Sequence, residues 1–290
     1  MIKRYLNLNG IEKSLVRNFI NRKEENKKSL DEIEKIFNNK MYGYGKGSLF
    51  YFFNGQAVGK INIVLEVVKE LGNIFIHHLD ILEDLNIHTQ EVIIKELIDN
   101  AITLAEDYKP KKILLGERNK NRLKILEGLG LHSEYKSLRM HLEDRSKKEK
   151  PLDLIPLSTE NKFEYLSVYN DSFNDMPHGS YAYIDEVEEY LNKANEENYY
   201  FMVSVNNTNI GFMNCIIENR QGIFDIGLCK AYRGKGYGSR LLETAVNFLN
   251  RKDVRKINLI VIEKNSRAYN MYKKRGFKEE SIISYWIKIK

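Results

Sequence analysis

One order of predicted strands and helices occurs twice in this chain, and this repeat most constrains the fold. Both copies contain two paired strands, a third strand, an amphipathic helix, a buried strand, a short helix and a closing strand. The ends of the copies align without gaps, Glu117-Arg118-Asn119 with Glu263-Lys264-Asn265 and Gly128–Leu131 with Lys274–Phe277. A repeat of this length indicates a duplicated domain rather than a solenoid.

A polar, charged segment, residues 143–151, separates the two copies and ends in Pro151, which is typical of an interdomain linker. We therefore predict a mixed α/β (α+β) fold of two tandem domains, residues 1–145 and 151–290. The predicted strands are Leu49–Phe53, Val58–Val67, Asn73–Ile81, Lys112–Gly116, Leu138–Leu142, Leu152–Leu157, Tyr199–Val205, Ile210–Ile217, Gly222–Cys229, Lys256–Ile262 and Phe277–Ile289. The predicted helices are Glu91–Asp107, Asn121–Glu127, Phe163–Phe173, Ile184–Ala194, Gly238–Asn250 and Ser266–Lys274.

The composition is that of a soluble globular protein, with 42% hydrophobic and 30% charged residues. Cys215 and Cys229 lie in apolar runs, so we expect buried free thiols and no disulfide framework. No signal peptide and no membrane-spanning run is recognised, and we expect a cytoplasmic protein. The net charge of +6 suits a polyanionic small ligand. No basic face interleaved with aromatic residues predicts nucleic-acid binding, and no histidine cluster has metal-ligand spacing.

A loop with three glycines, Arg233-Gly234-Lys235-Gly236-Tyr237-Gly238, lies between a predicted strand and the helix that follows it. Glycines at alternate positions allow left-handed backbone angles and close approach of a ligand. Successive amide N–H groups at the positive end of a helix suit a pyrophosphate, and Arg233 and Lys235 add charge that pairs with phosphates.

Two familiar nucleotide-binding motifs fit this loop poorly. A Walker loop needs Ser or Thr after Gly-Lys, and here Gly236 follows Lys235. A dinucleotide fingerprint needs Gly-x-Gly-x-x-Gly at the start of a βαβ unit, whereas this loop follows a hairpin. A structural turn without a ligand remains open on this motif alone.

A second motif follows the next strand, and the two together resemble the GNAT superfamily of Gcn5-related N-acetyltransferases. Arg233, Gly236 and Gly238 fit the pyrophosphate motif of that family. Asn265, Ala268, Tyr272 and Gly276-Phe277 fit its next motif in register. The resemblance covers residues 151–290, and the tandem layout resembles mycothiol synthase-like acetyltransferases. The first half has no glycine opposite the loop and Leu126 opposite Tyr272, so we expect a degenerate first domain.

This resemblance implies an activity that depends on acetyl-CoA. It also implies a fold in which a mostly antiparallel sheet, flanked by helices, splays open to hold the pantetheine arm of the cofactor. Backbone groups near the end of one splayed strand would bind the arm, backbone amides of the loop would bind the pyrophosphate, and Tyr272 would protonate the departing thiolate. The implied cofactor contacts are Leu228, Cys229, Lys230, Arg233, Gly234, Lys235, Gly236, Tyr237, Gly238, Ser239 and Asn265. The Leu228 N–H would face the thioester carbonyl.

An amine substrate must lose a proton before it attacks, which calls for a carboxylate near the splayed strands. Asp225 is the first candidate for this base and Glu218, at the preceding turn, is the second, although a solvated turn explains Glu218 equally well. His178 and Tyr181 lie in a segment that in this family lines the acceptor site. A loop that only caps a helix would account for both residues equally well.

We therefore predict direct acetyl transfer, in a ternary complex, to a small-molecule amine or a peptide amine, with no metal. Two alternatives stay open. One is a non-catalytic protein that binds acyl-CoA and regulates a partner. The other is a Fem-type aminoacyltransferase, which shares duplicated domains of this kind and uses charged tRNA.

Overall fold

The computed structural model describes residues 1–146 and 150–290, which form two compact units. The first unit comprises residues 1–135 and 284–290, and the second comprises the described residues of 136–283. The units differ from the predicted division in two segments. Residues 136–142 belong to the second unit and residues 284–290 to the first. The predicted linker, residues 143–151, lies partly outside the described residues.

The first unit has helices on both faces of one sheet. Its strands are β1 (Ile2–Arg4), β2 (Ser48–Phe53), β3 (Gln56–Val64), β4 (Asn73–Ile81) and β5 (Lys112–Glu117), in the order β1-β2-β3-β4-β5. Residues Tyr285–Lys288 pair antiparallel with β5, whereas β4 and β5 are parallel. Its helices are α1 (Gly10–Asn21), α2 (Leu30–Phe37), α3 (Val68–Leu71), α4 (Ile87–Glu106) and α5 (Lys120–Gly128).

The second unit repeats this plan. Its strands are β6 (Tyr135–Leu142), β7 (Asp153–Pro156), β8 (Asn198–Val205), β9 (Thr208–Glu218), β10 (Gln221–Leu228), β11 (Lys256–Ile262) and β12 (Phe277–Lys288), of which β6 to β11 run in the order β6-β11-β10-β9-β8-β7. Its helices are α6 (Lys162–Phe173), α7 (Ile184–Lys193), α8 (Tyr237–Arg251) and α9 (Ser266–Arg275). β10 and β11 are parallel, and their neighbours along this sheet are antiparallel.

The layering of the second unit follows from its apolar pattern. The buried stripe of α8, which includes Leu241, Ala245 and Leu249, packs on one face of the sheet. Tyr165 of α6 and Val187 of α7 are fully buried on another cluster with Phe212 of β9. Helices with one apolar stripe must bury it against the sheet, and this arrangement places α6, α7 and α8 around β9 and β10.

The predicted mixed α/β fold with mostly antiparallel sheets is confirmed. β8 and β9 form a hairpin whose turn residues, Asn206 and Asn207, have φ of 49° and 59°, the left-handed angles that asparagine tolerates. β1, α1, α2 and α3 were not predicted. Among the described residues no helix combines the length and the hydrophobicity that crossing a bilayer requires.

Candidate active site

The strands β10 and β11 part beyond a short stretch of pairing, as the family resemblance implies. Their parallel pairing runs from Gln221↔Lys256 to Ile223↔Asn258, yet β10 continues to Leu228. The Cys229 N–H donates to Ile210 O at 2.9 Å in the β9 pairing. Because peptide groups alternate in direction along a strand, the Leu228 N–H faces the opposite side, toward the gap.

The gap between β10 and β11 opens into a cavity of about 490 Å³ in the second unit. Both parted strands line it, together with the glycine loop, the start of α9 and the segment after α6. The lining side chains and backbone include Tyr169, Phe173, Met176, His178, Asp225, Leu228, Arg233, Gly234, Gly238, Ile260, Asn265, Arg267, Met271 and Tyr272. This volume lies in the range of ordinary ligand pockets.

The glycine loop presents backbone amides to solvent at the start of α8. Gly234 and Gly236 have φ of 78° and 84°, and a Cβ built on either one meets no atom within 4 Å. Gly236 is the N-cap of α8 and has no side chain to bond the first turn. Within residues 1–146 and 150–290, no acceptor bonds the amides from Gly234 to Ser239. The positive end of α8 is therefore open to an anion.

The Arg233 side chain holds the loop in place, which differs from its predicted role toward phosphate. Its guanidinium donates to Asp175 at 2.8 and 3.0 Å, to Ser172 O at 2.9 Å and to Leu228 O at 3.0 Å. These bonds tie the loop to the end of α6 and to the end of β10. A guanidinium with its donors so engaged positions the neighbouring amides rather than offering its own charge.

Two further predicted cofactor contacts bond to α6. The Lys230 N–H donates to Asp171 Oδ2 at 2.9 Å. The buried Cys229 Sγ lies 3.8 Å from both Ser172 Oγ and Val168 O, and burial raises the pKa of this thiol. Among the described residues Cys229 is not part of the cavity lining. The contacts predicted for Lys235, Tyr237 and Ser239 stay predictions.

Asp225 lies in the cavity between the parted strands, and the residue is exposed to that cavity rather than packed in the core. Desolvation raises the pKa of its carboxyl from 3.8 to about 7, and a hydrogen bond from the Ile226 N–H acts in the opposite direction. Its cross-strand neighbour is Asn214, whose Oδ1 accepts from Tyr165 Oη at 2.6 Å. A carboxyl of this pKa changes charge near neutral pH, which suits a general base.

Glu218, the second predicted base, lies at the other end of β10. It pairs with Gln221, at the end where β10 and β11 are still hydrogen-bonded. The turn that follows it, Asn219-Arg220, has φ of 50° and 60°, as a tight hairpin requires. Glu218 is therefore a turn residue away from the cavity, and Asp225 is the candidate base that remains.

Tyr272 also lines the cavity, with 8% of its surface exposed. Its ring packs on Phe277 with 5.9 Å between centroids. Burial, and then the nearby charge of Asp225, raise the pKa of its phenol well above the usual 10. Tyr272 therefore keeps its proton at neutral pH and can donate it inside the cavity.

Asn265 caps the next helix at the cavity wall. Its Oδ1 accepts from the Ala268 N–H at 3.3 Å, which satisfies one donor of the first turn of α9. Its Nδ2 lies 3.9 Å from Met176 Sδ. The cap explains an asparagine at this position without a ligand, and the predicted contact with the cofactor stays a prediction.

The two predicted substrate residues differ in position. His178 has φ of 57° and lines the cavity, where burial and then the charge of Lys264 lower its pKa to about 4. It is therefore neutral at pH 7. Tyr181 packs with its ring centroid 5.3 Å from that of Tyr183 and, in the part of the chain described, is not among the lining residues. In the same part, no group of three His, Cys, Asp or Glu side chains has the geometry of a metal site.

Comparisons with known proteins identify the family to which most of the second unit is similar. Residues 164–277, which contain the loop and most of the lining, match the model of the Acetyltransferase (GNAT) family. An uncharacterised N-acetyltransferase of Methanocaldococcus jannaschii is 28% identical over 102 residues, which cover 32% of this chain and 45% of that protein. Another from Bacillus subtilis is 34% identical over 61 residues, 21% of this chain and 39% of that protein. The chain thus spans less than half the length of these curated relatives.

Solved structures extend the likeness of the fold over both units. A GCN5-related N-acetyltransferase from Sphaerobacter thermophilus has a TM-score of 0.63 at 12% identity, covering 99% of this chain and 94% of that one. A tandem GNAT protein from the clavulanic acid biosynthesis pathway has a TM-score of 0.55 at 10% identity, covering 96% and 93%. At such identities the likeness concerns the fold alone. Together these comparisons show that residues 164–277 match a GNAT acetyltransferase domain and that the chain as a whole has the fold of tandem GNAT proteins.

Proposed function

We propose that the second unit transfers an acetyl group from acetyl-CoA directly to an amine, with Tyr272 as general acid and Asp225 as general base. One observation carries this proposal. A single cavity is lined by parted strands, by an open helix N-terminus, by a protonated phenol and by a carboxyl that titrates near pH 7.

The residues present fit coenzyme A. The unbonded amides from Gly234 to Ser239 would hold the pyrophosphate, and the Leu228 N–H, which faces the gap, would hold the arm and polarise the thioester carbonyl. Arg267, which also lines the cavity, would add a positive charge. When bound, acetyl-CoA supplies an activated acyl group.

In the proposed reaction Asp225 accepts a proton from the amine and Tyr272 donates a proton to the leaving sulfur. An amine that arrives as an ammonium ion would lose a proton to the Asp225 carboxylate, directly or through a water molecule. The C–N bond would form as the C–S bond breaks, with the Tyr272 hydroxyl giving its proton to the leaving sulfur and the newly bonded nitrogen releasing its surplus proton to solvent. Solvent then restores the phenol and removes the proton from Asp225. The neutral His178 would lie beside the acceptor as a hydrogen-bond partner that adds no charge.

The test is acyl transfer measured with the full chain. Acetyl-CoA is offered with a panel of small amines, amino sugars and peptide N-termini, and released thiol is followed in the wild type and in Tyr272→Phe. We expect turnover with at least one amine class, and a fall in kcat of about 10²–10⁴-fold in the variant. The dissociation constant of coenzyme A should change little, because the loop and Leu228 are intact.

The outcomes separate the proposal from its alternatives. An unchanged kcat in Tyr272→Phe would remove the acid role. Tight binding of coenzyme A without turnover on any amine class would favour the regulatory acyl-CoA binder. Absence of coenzyme A binding would favour the Fem-type aminoacyltransferase.

A further inference from the structure

The first unit has a cavity of its own, of about 220 Å³, where β4 and β5 part. Their pairing ends at Ile76↔Leu115, while β4 continues to Ile81 and β5 to Glu117. The lining is charged and polar rather than apolar. It comprises Lys60, His77, His78, Leu79, Asp80, Gly116, Glu117, Arg118, Arg122, Ser284 and Trp286.

Both carboxylates in this lining are already neutralised by arginines. Glu117 accepts from Arg122 at 3.0 and 3.1 Å, and from the backbone N–H groups of Arg118 and Asn119. Asp80 accepts from Arg22 Nη2 at 2.7 Å and from Arg122 Nη1 at 3.4 Å. The acidic groups therefore have no capacity left for a cationic ligand.

Two cations of the cavity lack such a partner. Among the described residues neither Lys60 nor Arg118 forms an ion pair. The Lys60 ammonium donates to the carbonyl oxygen of His78 at 2.9 Å. Burial lowers the pKa of Lys60 to about 8, with Asp80 acting in the opposite direction and Arg122 adding to the decrease. A positive charge held in this way is stabilised by any anion that enters.

Two neutral imidazoles complete the polar wall. The rings of His77 and His78 lie 4.0 Å apart, and His77 Nε2 is buried without a hydrogen-bond partner in the described part of the chain. Burial is the main cause that lowers the pKa of His77 to about 3 and that of His78 to about 4. The charges of Lys60 and Arg118 lower both values further. A buried polar atom without a partner is costly unless a ligand or water satisfies it.

The shape of the cavity limits the size of its occupant. The Trp286 ring packs on Gly116, where a Cβ would come within 2.8 Å of the ring carbons. The volume is less than half that of the cavity in the second unit. A coenzyme is further disfavoured because Asn86 caps the helix that follows β4, its Oδ1 accepting from the Thr89 N–H at 2.9 Å.

We propose that this cavity binds a small anion with a carboxylate or phosphate group, held by the Lys60 ammonium and the Arg118 guanidinium and hydrogen-bonded by the His77 imidazole. Three cations (Lys60, Arg118 and Arg122) line it beside two carboxylates, and both carboxylates are paired with arginine. This site is independent of the acyl-transfer site in the second unit.

Binding should be coupled to proton uptake. An anion raises the pKa of Lys60, which is only about half protonated at pH 8 and almost fully protonated at pH 6.5. At pH 8 each binding event should therefore take up to about half a proton into Lys60. At pH 6.5 the uptake by Lys60 should be close to zero. A merely structural lysine would show no such dependence.

The experiment uses the full chain with two probes, succinate for a carboxylate ligand and inorganic phosphate for a phosphate ligand. Isothermal titration at pH 8 in buffers of different ionisation enthalpy gives affinity and proton uptake together. The imidazole NMR signals of His77 and His78, assigned with His77→Gln and His78→Gln, report on this cavity alone. The probe that binds more tightly identifies the source of the anionic group.

Matched variants decide the outcome. We expect Lys60→Met and Arg118→Gln each to weaken binding at least about tenfold, since a charge-assisted hydrogen bond is lost. Lys124→Met, which removes an exposed lysine elsewhere in the same unit, should leave it unchanged. Histidine signals that do not move with either probe up to about 10 mM would overturn the proposal. Equal binding in wild type and in the exposed Arg118→Gln variant would also overturn it, even if Lys60→Met failed to fold.

Discussion

Replacing Asp225 by asparagine tests the proposed base most directly. The substitution keeps size and cross-strand position but removes the group that titrates. In the wild type the carboxyl has a pKa of about 7, so it is ionised above that pH and protonated below it. The rate should therefore rise with pH and level off above about pH 8. At pH 6 only about one carboxyl in ten is ionised, and the rate should be about tenfold below the plateau.

The assay is kcat/KM for acetyl transfer between pH 5.5 and 9 with two acceptors whose amine pKa values differ. We expect Asp225→Asn to lose the inflection near pH 7 and to lower the plateau by about 10²–10⁴-fold. Glu218→Gln is the matched control, because it removes a carboxylate at the end of the neighbouring strand β9, away from the cavity. An inflection that shifts with the pKa of the acceptor, or that persists in Asp225→Asn, would refute the assignment.

The same variant has a second readout in stability. A folded-state pKa of about 7 against an ordinary 3.8 means that the folded chain binds the Asp225 proton more tightly than the unfolded chain. The contribution of this group to stability is therefore present at low pH and lost as pH rises from about 4 to 7. Because Asp225 is exposed to the cavity, solvent screens much of this effect, and Asp225→Asn should raise Tm only slightly at pH 8 and less at pH 5. A lower Tm at pH 8 would contradict the cause assigned to the pKa.

Two further predictions concern side chains that support the second unit, the buried Arg275–Glu243 ion pair and Arg233 in the glycine loop. Arg275 and Glu243 form an ion pair with side chains only 5% and 3% exposed, so Arg275→Met should lower the free energy of unfolding by about 3–5 kcal/mol in a urea titration. Adding Glu243→Met should restore most of the loss, because no buried charge then lacks a partner. Arg233→Gln should weaken coenzyme A binding about tenfold in a calorimetric titration, since Asp175 and the Leu228 carbonyl lose the donor that fixes the loop. An unchanged affinity would mean that the loop holds its shape without this clamp.

Much of the fold follows from local sequence signals. β4 and β11 were predicted with the bounds that the structure has, because both are apolar runs closed by turn residues. Helix α4 begins at Ile87, four residues before the predicted start, because Asn86 caps it ahead of its apolar stripe. The start of a helix depends on its cap more than on its periodicity.

Helices α1 and α2 were not predicted, although the sequence contains a capping motif at the start of each. Asn9 with Glu12 and Ser29 with Glu32 are capping boxes, in which each side chain bonds the backbone N–H of the other. Their few apolar side chains are separated by lysines and glutamates, which hides the periodicity. A search for capping boxes would have found both helices without any structure.

In the site, too, the features set by local sequence could be predicted, whereas those set by contacts distant in the chain could not. The loop and the phenol could be predicted because their residue types and spacing carry the chemistry. The choice between Asp225 and Glu218 could not, since it depends on where β10 and β11 stop pairing. The clamp by Arg233 was equally hidden, because Asp175 lies 58 residues earlier in the chain.

The two units differ in how α4 and α8, the helices that follow β4 and β10, begin. In the first unit the side chain of Asn86 caps α4, and the Thr89 N–H there has a partner within the chain. In the second unit Gly236 occupies the cap position and leaves the amides of α8 without one. A helix start capped by glycine is less stable than one capped by asparagine by roughly a few tenths of a kcal/mol, and an anion bound at this open end would offset that difference. The glycine loop thus leaves the start of α8 open to an anion, as the proposed coenzyme A site requires, whereas the anion site proposed for the first unit is the separate cavity around Lys60.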